Sequence, residues 1–411
     1  MRIAIFLNQF PLVSETFILQ QIQGALARGH QVDIHAVPVS NAVLRHPILD
    51  EWKMEHRLRP RPPIACGTPQ GLAQALRTNA SPALRRPALF ARCVFQCLQP
   101  AAANPLALFS AAMSAAPSTP ARYDVIHAHF ADSGLLAVRL RALGVLVGPI
   151  LTSFHGNDVT QRRSARKMLG LQRLFAEGDA FTHPSDYLGR RARALGCPEV
   201  RQWKHSYGID PARFTFSERT LTPGCPVHII SIARLVEKKG LSYAIAAVAA
   251  LIRAGKNVRY NIIGDGPLRG ALEAQIAALG AESRIHLLGA RDGEAVRQHL
   301  REAHIFVLPS VTAANGDMEG LPVSILEAQM SGLPVVSTLH SGIPEGVQEG
   351  RSAFLVKERD AVALAERLGC LADHPETWAS MGRAGREFVE ARFHVETLND
   401  QLVELYRRVG R

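Results

Sequence analysis

The sequence predicts an α/β protein built from two doubly wound, Rossmann-like domains that face each other across a cleft. Three observations lead there. Short apolar runs alternate with amphipathic helical patterns from end to end, which implies right-handed βαβ crossovers and parallel sheets. The pattern begins afresh after residues 209–226, where Pro211, Pro223, Gly224 and Pro226 read as a linker. The length of 411 residues suits two or three domains at about 150 residues each. Hydrophobic residues at 47% and charged residues at 20% exclude a disordered chain or a disulfide-stapled mini-protein. The domains are expected at residues 1–208 and 209–386, with 387–411 packing back toward the first.

In the first half, Ile3–Leu7 reads as a buried strand, followed by a helix from Thr16 to Arg28 that Gly29 stops. Further strands are expected at Val32–Val37, Asp124–Phe130, Pro149–Phe154 and Ala180–His183. The second half offers Val227–Ala233, Val258–Ile263, Arg284–Leu288, His304–Leu308, Pro334–Ser337 and Ala353–Val356. Runs apolar on both faces fit parallel strands covered by helices. One closing helix is expected over about Glu387–Arg408. A ligand cleft belongs between the domains, at the carboxyl ends of the strands.

The formal charge is +11, and residues 51–120 hold eight Lys or Arg against two Glu. Leu72, Leu76, Leu84, Leu89, Phe90, Val94, Phe95 and Leu98 lie among them, so the segment reads as basic amphipathic helices broken by prolines. Such a face suits an anionic membrane surface or an acidic ligand; the alternative is a solvated helical hairpin. No zinc-finger spacing or RNP-type motif supports nucleic acid. No apolar run approaches the roughly 20 residues of a membrane span, and the N-terminus lacks a signal-peptide pattern. The expected location is therefore cytoplasmic, peripheral at the inner face of the plasma membrane. Six cysteines suit a reducing compartment, and Cys93–Cys97 lacks the second cluster that zinc requires.

The chemistry concentrates in four places. In Asp317–Gly332, Pro322 opens a helix, Glu319 and Gly320 precede it, and Glu327 lies on it. The backbone N–H groups of Leu321, Pro322's successor Val323 and Ser324 then form a small electropositive cup. Carboxylates on either side of that cup accept hydrogen bonds from hydroxyls, a layout that fits a nucleotide sugar; otherwise the two acids are a helix-start charge and a solvated residue. Arg234 and Lys239 follow the first strand of the second half, where a doubly wound domain binds phosphate, and a planar fork beside a point charge suits a diphosphate. The alternative is a surface loop of mixed charge. Gly264-Asp265-Gly266-Pro267 nearly matches a dinucleotide fingerprint, but Gly270 falls one place late, so it reads as a tight turn near a base or ribose. In the first half, Ser14, Glu15 and Thr16 are helix caps or acceptor contacts. His155, Asn157 and Asp158 end a strand at the cleft side, whereas His127 and His129 read as buried strand residues.

Arg234, Lys239, the Gly264–Gly266 turn, and Glu319 and Glu327 with seven residues between them resemble, in that order, the retaining glycosyltransferases of family 4 with the GT-B fold. Phe10-Pro11 with Ser14 to Phe17, His127–Phe130 and Phe154–Asp158 are similar to the bacterial exopolysaccharide members. The departure is Pro11–Ser14, which stands where many relatives carry a Gly-Gly phosphate loop. The resemblance implies a nucleotide diphosphate sugar as donor substrate, no cofactor and no metal, and a lipid-linked or oligosaccharide acceptor. It implies that Arg234 and Lys239 hold the diphosphate, Glu327 the ribose and Glu319 the sugar, with His155 facing the anomeric carbon. A nucleotide-sugar epimerase or hydrolase on the same fold, or a non-enzymatic glycan- or membrane-binding protein, are the alternatives.

Overall fold

A computed structural model of the chain describes residues 1–12, 15–39, 46–62, 86–98, 105–115 and 120–410. The chain divides into two compact units. One comprises Met1–His183, Leu188–His205 and Asn399–Arg411; the other comprises Pro184–Tyr187 and Ser206–Leu398.

The first unit is organised by a parallel seven-stranded sheet. Its order is Leu58–Pro60, Gln31–Pro38, Arg2–Phe10, Val125–His129, Ile150–Ser153, Ala180–His183, Gln202–Lys204. Ile3 to Leu7 are buried on both faces of the strand, as a sheet covered by helices requires. The helix Thr16–Ala27 ends where Gly29 takes a φ of 75° and His30 donates to the Ala25 carbonyl. Leu402, Val403, Leu405 and Tyr406 join the same core as Ile3, Ile5 and Leu151.

Two expectations for this unit need correction. Residues 54–57 form a 3-10 turn and Leu58–Pro60 an edge strand in place of basic amphipathic helices. The cause is that the basic side chains serve the sheet itself: Arg59 pairs with Asp33 at 2.8 Å, and Arg61 donates to the Leu7 carbonyl. An edge position also tolerates Pro60, which has no N–H to give. The helical part of the segment survives as Pro87–Leu98 and Pro105–Ala115; Cys66, Leu72, Leu76, Arg77, Leu84 and Arg85 lie outside the described residues. Gln202–Lys204 adds a strand with no counterpart in the reading, being too short to display an alternation.

The second unit holds a parallel six-stranded sheet, ordered Ile285–Gly289, Val258–Ile263, Val227–Ile232, Ile305–Leu308, Val335–Thr338, Ala353–Val356. The order reverses between Val227–Ile232 and Ile305–Leu308, which opens a crevice at their carboxyl ends. Ile245, Val248, Tyr260, Phe306, Leu326 and Trp378 fill its core. The expected closing helix is two helices, Trp378–Phe393 and Val395–Val409. They part because His394 is extended and Ile209 takes the neighbouring backbone groups: its N–H donates to the Phe393 carbonyl, and its carbonyl accepts from Val395. Among the described residues no helix is long and apolar enough to cross a membrane.

Candidate functional site

Three loops meet at the reversal point of the second sheet. Residues 233–240 leave Val227–Ile232, residues 264–267 leave Val258–Ile263, and residues 309–322 leave Ile305–Leu308. Val311 donates to the Lys238 carbonyl at 2.8 Å, and Leu235 donates to the Asp265 carbonyl at 2.9 Å. Two glycines permit this stacking. A Cβ on Gly240, which has a φ of 63°, would fall 1.9 Å from the Pro309 carbonyl oxygen; one on Gly264, with a φ of 140°, would fall 1.9 Å from that of Ala233. Gly264 also donates to the Gly289 carbonyl at 3.0 Å.

That stacking sets two lysines against two acids. Lys239 Nζ lies 2.8 Å from Glu319 Oε1, with both side chains largely buried. Beside it, Lys238 Nζ lies 3.1 Å from Asp317 Oδ1 and donates to the Met318 carbonyl at 3.3 Å. Burial opposes ionisation of Glu319, but Lys239 and Lys238 outweigh it and bring the carboxyl down to about 2. Burial lowers the Lys239 ammonium as well, against the pull of Glu319. Arg234 is exposed, and among the described residues no acid or carbonyl engages its guanidinium. Its charge is one of those depressing Lys239. Asp265 turns its carboxylate onto the Gly266 N–H at 2.8 Å.

Helix Val323–Met330 starts one residue later than expected, with Pro322 flanking it at φ −66°. Its first N–H groups point away from the helix body, as at any helix start. Leu321 is buried, and the Gly320 carbonyl accepts from Ser185 Oγ at 3.3 Å. Glu327 is partly buried on that helix; burial raises its carboxyl to about 7, while Arg213 and Arg297 pull it down. The structure therefore joins Lys239 to Glu319 and sets Arg234 within electrostatic reach, while the charges acting on Glu327 are those of Arg213 and Arg297.

The first unit has a different character. His127 Nδ1 meets Tyr406 Oη and its Nε2 meets Ser153 Oγ, both at 2.7 Å. His129 Nδ1 lies 3.0 Å from His155 Nε2, and His155 packs against Phe17 and Phe130. Burial holds all three of these imidazoles below the ordinary histidine value, His155 at about 3. They are neutral at pH 7, so each offers one donor and one acceptor. Asp158 faces inward, accepting from the N–H groups of His155 and Gly156; burial lifts it to about 6 despite those bonds. Asn157 is exposed. Thr16 opens its helix and Glu15 flanks it without a side-chain cap, while Ser14 lies outside the described residues. Among the described residues no group of three His, Cys, Asp or Glu could hold a metal ion, and Cys93 and Cys97 are free thiols.

Comparison with known proteins decides the family. Residues 14–213 match the family described as "Glycosyltransferase Family 4", and residues 226–374 match "Glycosyl transferases group 1". The chain is 38% identical to the putative colanic acid biosynthesis glycosyltransferase WcaL of Salmonella typhimurium, over the full length of both proteins. The chain is a family 4 glycosyltransferase. The glycosyltransferase is also 36% identical to the amylovoran biosynthesis glycosyltransferase AmsK of Erwinia amylovora, again over the full length of both. Its fold is that of HepE from Anabaena, solved in complex with UDP and glucose: TM-score 0.71 at 17% identity, covering 99% of this chain and all of that one. The expected GT-B class of two doubly wound α/β domains is thus met.

Reading the sequence alone missed His340 and Glu358. His340 is fully enclosed, with Nε2 against the Glu319 N–H and Nδ1 against Glu358. They belong to no local motif; strand Val335–Thr338 brings His340, and strand Ala353–Val356 brings Glu358, to the loop that carries Glu319.

Proposed function

We propose that this glycosyltransferase moves a hexose, with retention, from a nucleotide diphosphate sugar to a lipid-linked or oligosaccharide acceptor in exopolysaccharide biosynthesis. The observation that carries it is the buried Lys239–Glu319 pair beside the unpartnered Arg234 at the reversal point of the second sheet. A dianionic diphosphate needs fixed positive charge, and a sugar needs a fixed acceptor; these three residues offer both. The names of the relatives, in colanic acid and amylovoran biosynthesis, support the exopolysaccharide role. HepE's complex with UDP and glucose supports the donor class.

In this reading Arg234 and Lys239 receive the diphosphate, aided by the N–H groups at the start of Val323–Met330. Gly264, Asp265 and Gly266 form a turn beside the base or ribose, and Glu327 accepts from the ribose hydroxyls. Glu319, Gly320, Leu321, Pro322 and Val323 border the hexose. The neutral imidazole of His155 faces the anomeric carbon, with Glu15, Thr16, Asn157 and Asp158 on the acceptor side. The acceptor oxygen bonds to the anomeric carbon on the face from which the phosphate departs, and the departing phosphate oxygen takes the acceptor's proton. Exposed Phe95 and Leu98 on helix Pro87–Leu98, next to Arg92, support adsorption to an anionic membrane.

Incubation with UDP-glucose, UDP-galactose or GDP-mannose plus membrane lipid extract tests this. A lipid-soluble glycoside with the donor's anomeric configuration, formed only when extract is present, is the expected product. An inverted product contradicts retention, a covalent glycosyl-enzyme adduct contradicts same-face attack, and turnover independent of extract contradicts transfer to a lipid acceptor.

A further inference from the structure

We infer that His340 is a positioning residue that clamps the main chain of Glu319, and that it must do so as one fixed tautomer. The inference rests on the reading of Glu319 as the carboxylate that holds the donor's sugar. The turn 339–342 follows strand Val335–Thr338 and lies on the backbone of Glu319 and Gly320. His340 Nε2 accepts the Glu319 N–H at 3.1 Å, and Ser341 Oγ donates to the Glu319 carbonyl at 2.5 Å. Two consecutive side chains therefore hold both backbone groups of one residue. Gly342 makes the approach possible, since a Cβ there would fall 2.2 Å from the Gly320 carbonyl oxygen.

An Nε2 that accepts a backbone N–H carries no proton, so in the neutral ring the proton sits on Nδ1. Nδ1 faces Glu358 Oε1 at 2.7 Å. Glu358 is itself fixed, accepting from the Thr312 N–H at 2.8 Å and from Thr312 Oγ1 at 3.2 Å. The chain runs from Thr312 through Glu358 and His340 to the Glu319 main chain. Thr312 lies on the same 309–322 loop as Glu319, so the relay ties two points of that loop together through Glu358 and His340, which follow the two strands Ala353–Val356 and Val335–Thr338. The Glu319 carboxylate is then set from two sides, by Lys239 on its side chain and by the 340–341 turn on its backbone.

Two isosteric variants separate this from ordinary core support. His340→Gln carries an amide oxygen to the position of Nε2 and keeps an acceptor for the Glu319 N–H. His340→Asn places an amide N–H at the position of Nδ1, satisfies Glu358 and abandons Glu319. Two readouts on the full chain compare them: amide hydrogen exchange in residues 317–322, and the ratio of affinities for UDP-glucose over UDP and for GDP-mannose over GDP. The clamp predicts that Gln keeps the native protection and the sugar-dependent increment within about threefold. Asn loses protection and reduces the increment roughly tenfold, because a displaced contact of this kind is costly. An Asn variant that equals or surpasses Gln on both readouts overturns the inference. Glu319→Gln distinguishes the two levels of the argument. If Glu319→Gln retains the full sugar increment, or the unmodified chain binds neither pair, the reading of Glu319 fails while exchange still judges the clamp. If Glu319→Gln loses the increment but Gln and Asn at 340 behave alike, the clamp fails alone.

Discussion

The two units apply the same sheet architecture to opposite electrostatic ends. At the reversal point of the second sheet, four charged side chains form two adjacent ion pairs, the largely buried Lys239–Glu319 and, beside it, Lys238–Asp317, whose acid is half-buried. In the first unit, His127, His129 and His155 are bonded to hydroxyls or to one another and held neutral by burial. The difference follows from what surrounds each group. A buried charge persists only when an opposite charge offsets its lost hydration, as Lys239 and Glu319 do for each other. A buried imidazole has the cheaper course of staying unprotonated. One unit is thereby suited to an anion and the other to uncharged hydroxyls, as the proposed diphosphate-bearing donor and saccharide acceptor require.

The largest expected effect breaks the charged side. Lys239→Met leaves Glu319 buried without its partner and should cost about 3–5 kcal/mol in denaturant unfolding, whereas Lys239→Met with Glu319→Leu should recover most of it. Neither variant should transfer sugar. A single variant as stable as the unmodified chain would show that the pair is solvated and the contrast between the units false.

On the neutral side, Tyr406→Phe strips the partner from His127 Nδ1 and should cost about 1–3 kcal/mol, with no new sensitivity to salt. The acid responses of the two sides should also separate. A histidine held below its ordinary value contributes stability above about 6.5 that is lost as pH falls toward its folded value, about 3 for His155. Glu319, lowered to about 2, contributes stability above about 4.5 that is lost only below it. Melting followed from pH 7 to pH 3 should therefore decline in two stages. His129→Leu, which also removes the partner of His155, should flatten the first stage only.

The smallest effect sharpens the comparison within the second unit. In this unit burial raises the Glu327 carboxyl to about 7, whereas that of Glu319 is lowered. In the proposed function the ionised form of Glu327 accepts hydrogen bonds from the ribose, and on that proposal affinity for UDP or GDP should rise as pH climbs through 7, by a fewfold. Glu327→Gln should abolish that slope. Titration calorimetry at pH 6, 7 and 8 reads it, and an unchanged slope removes Glu327 from the ribose.

Much of this was legible before folding. Apolar runs such as Ile3–Leu7 and Ile305–Leu308 announce buried parallel strands because both faces must be hydrophobic. Arg234, Lys239, Glu319 and Glu327 were recognisable as an ordered set. What the sequence concealed was their mutual use: Lys239 and Glu319 face each other because Gly240 and Gly264 let three loops stack, a tertiary event with no local signature. Arg59 and Arg61 looked like free surface charge for the same reason, although the pairing with Asp33 and the bond to the Leu7 carbonyl absorb them. His340 and Glu358 carry no motif at all; a histidine near a turn looks ordinary until the turn lies on Glu319.

The central claim is that fixed cations at the reversal point of the second sheet grip a nucleotide diphosphate sugar. Calorimetric titration of the unmodified chain and of Arg234→Gln with UDP-glucose and GDP-mannose tests it most directly, because Arg234 is exposed and its loss should leave the fold intact. The account predicts saturable binding of at least one donor, weakened by Arg234→Gln roughly tenfold or more, the loss of about 1.5–3 kcal/mol for a charge-assisted bond. Binding of a donor with undiminished affinity by Arg234→Gln, or of neither donor by the unmodified chain, would contradict it.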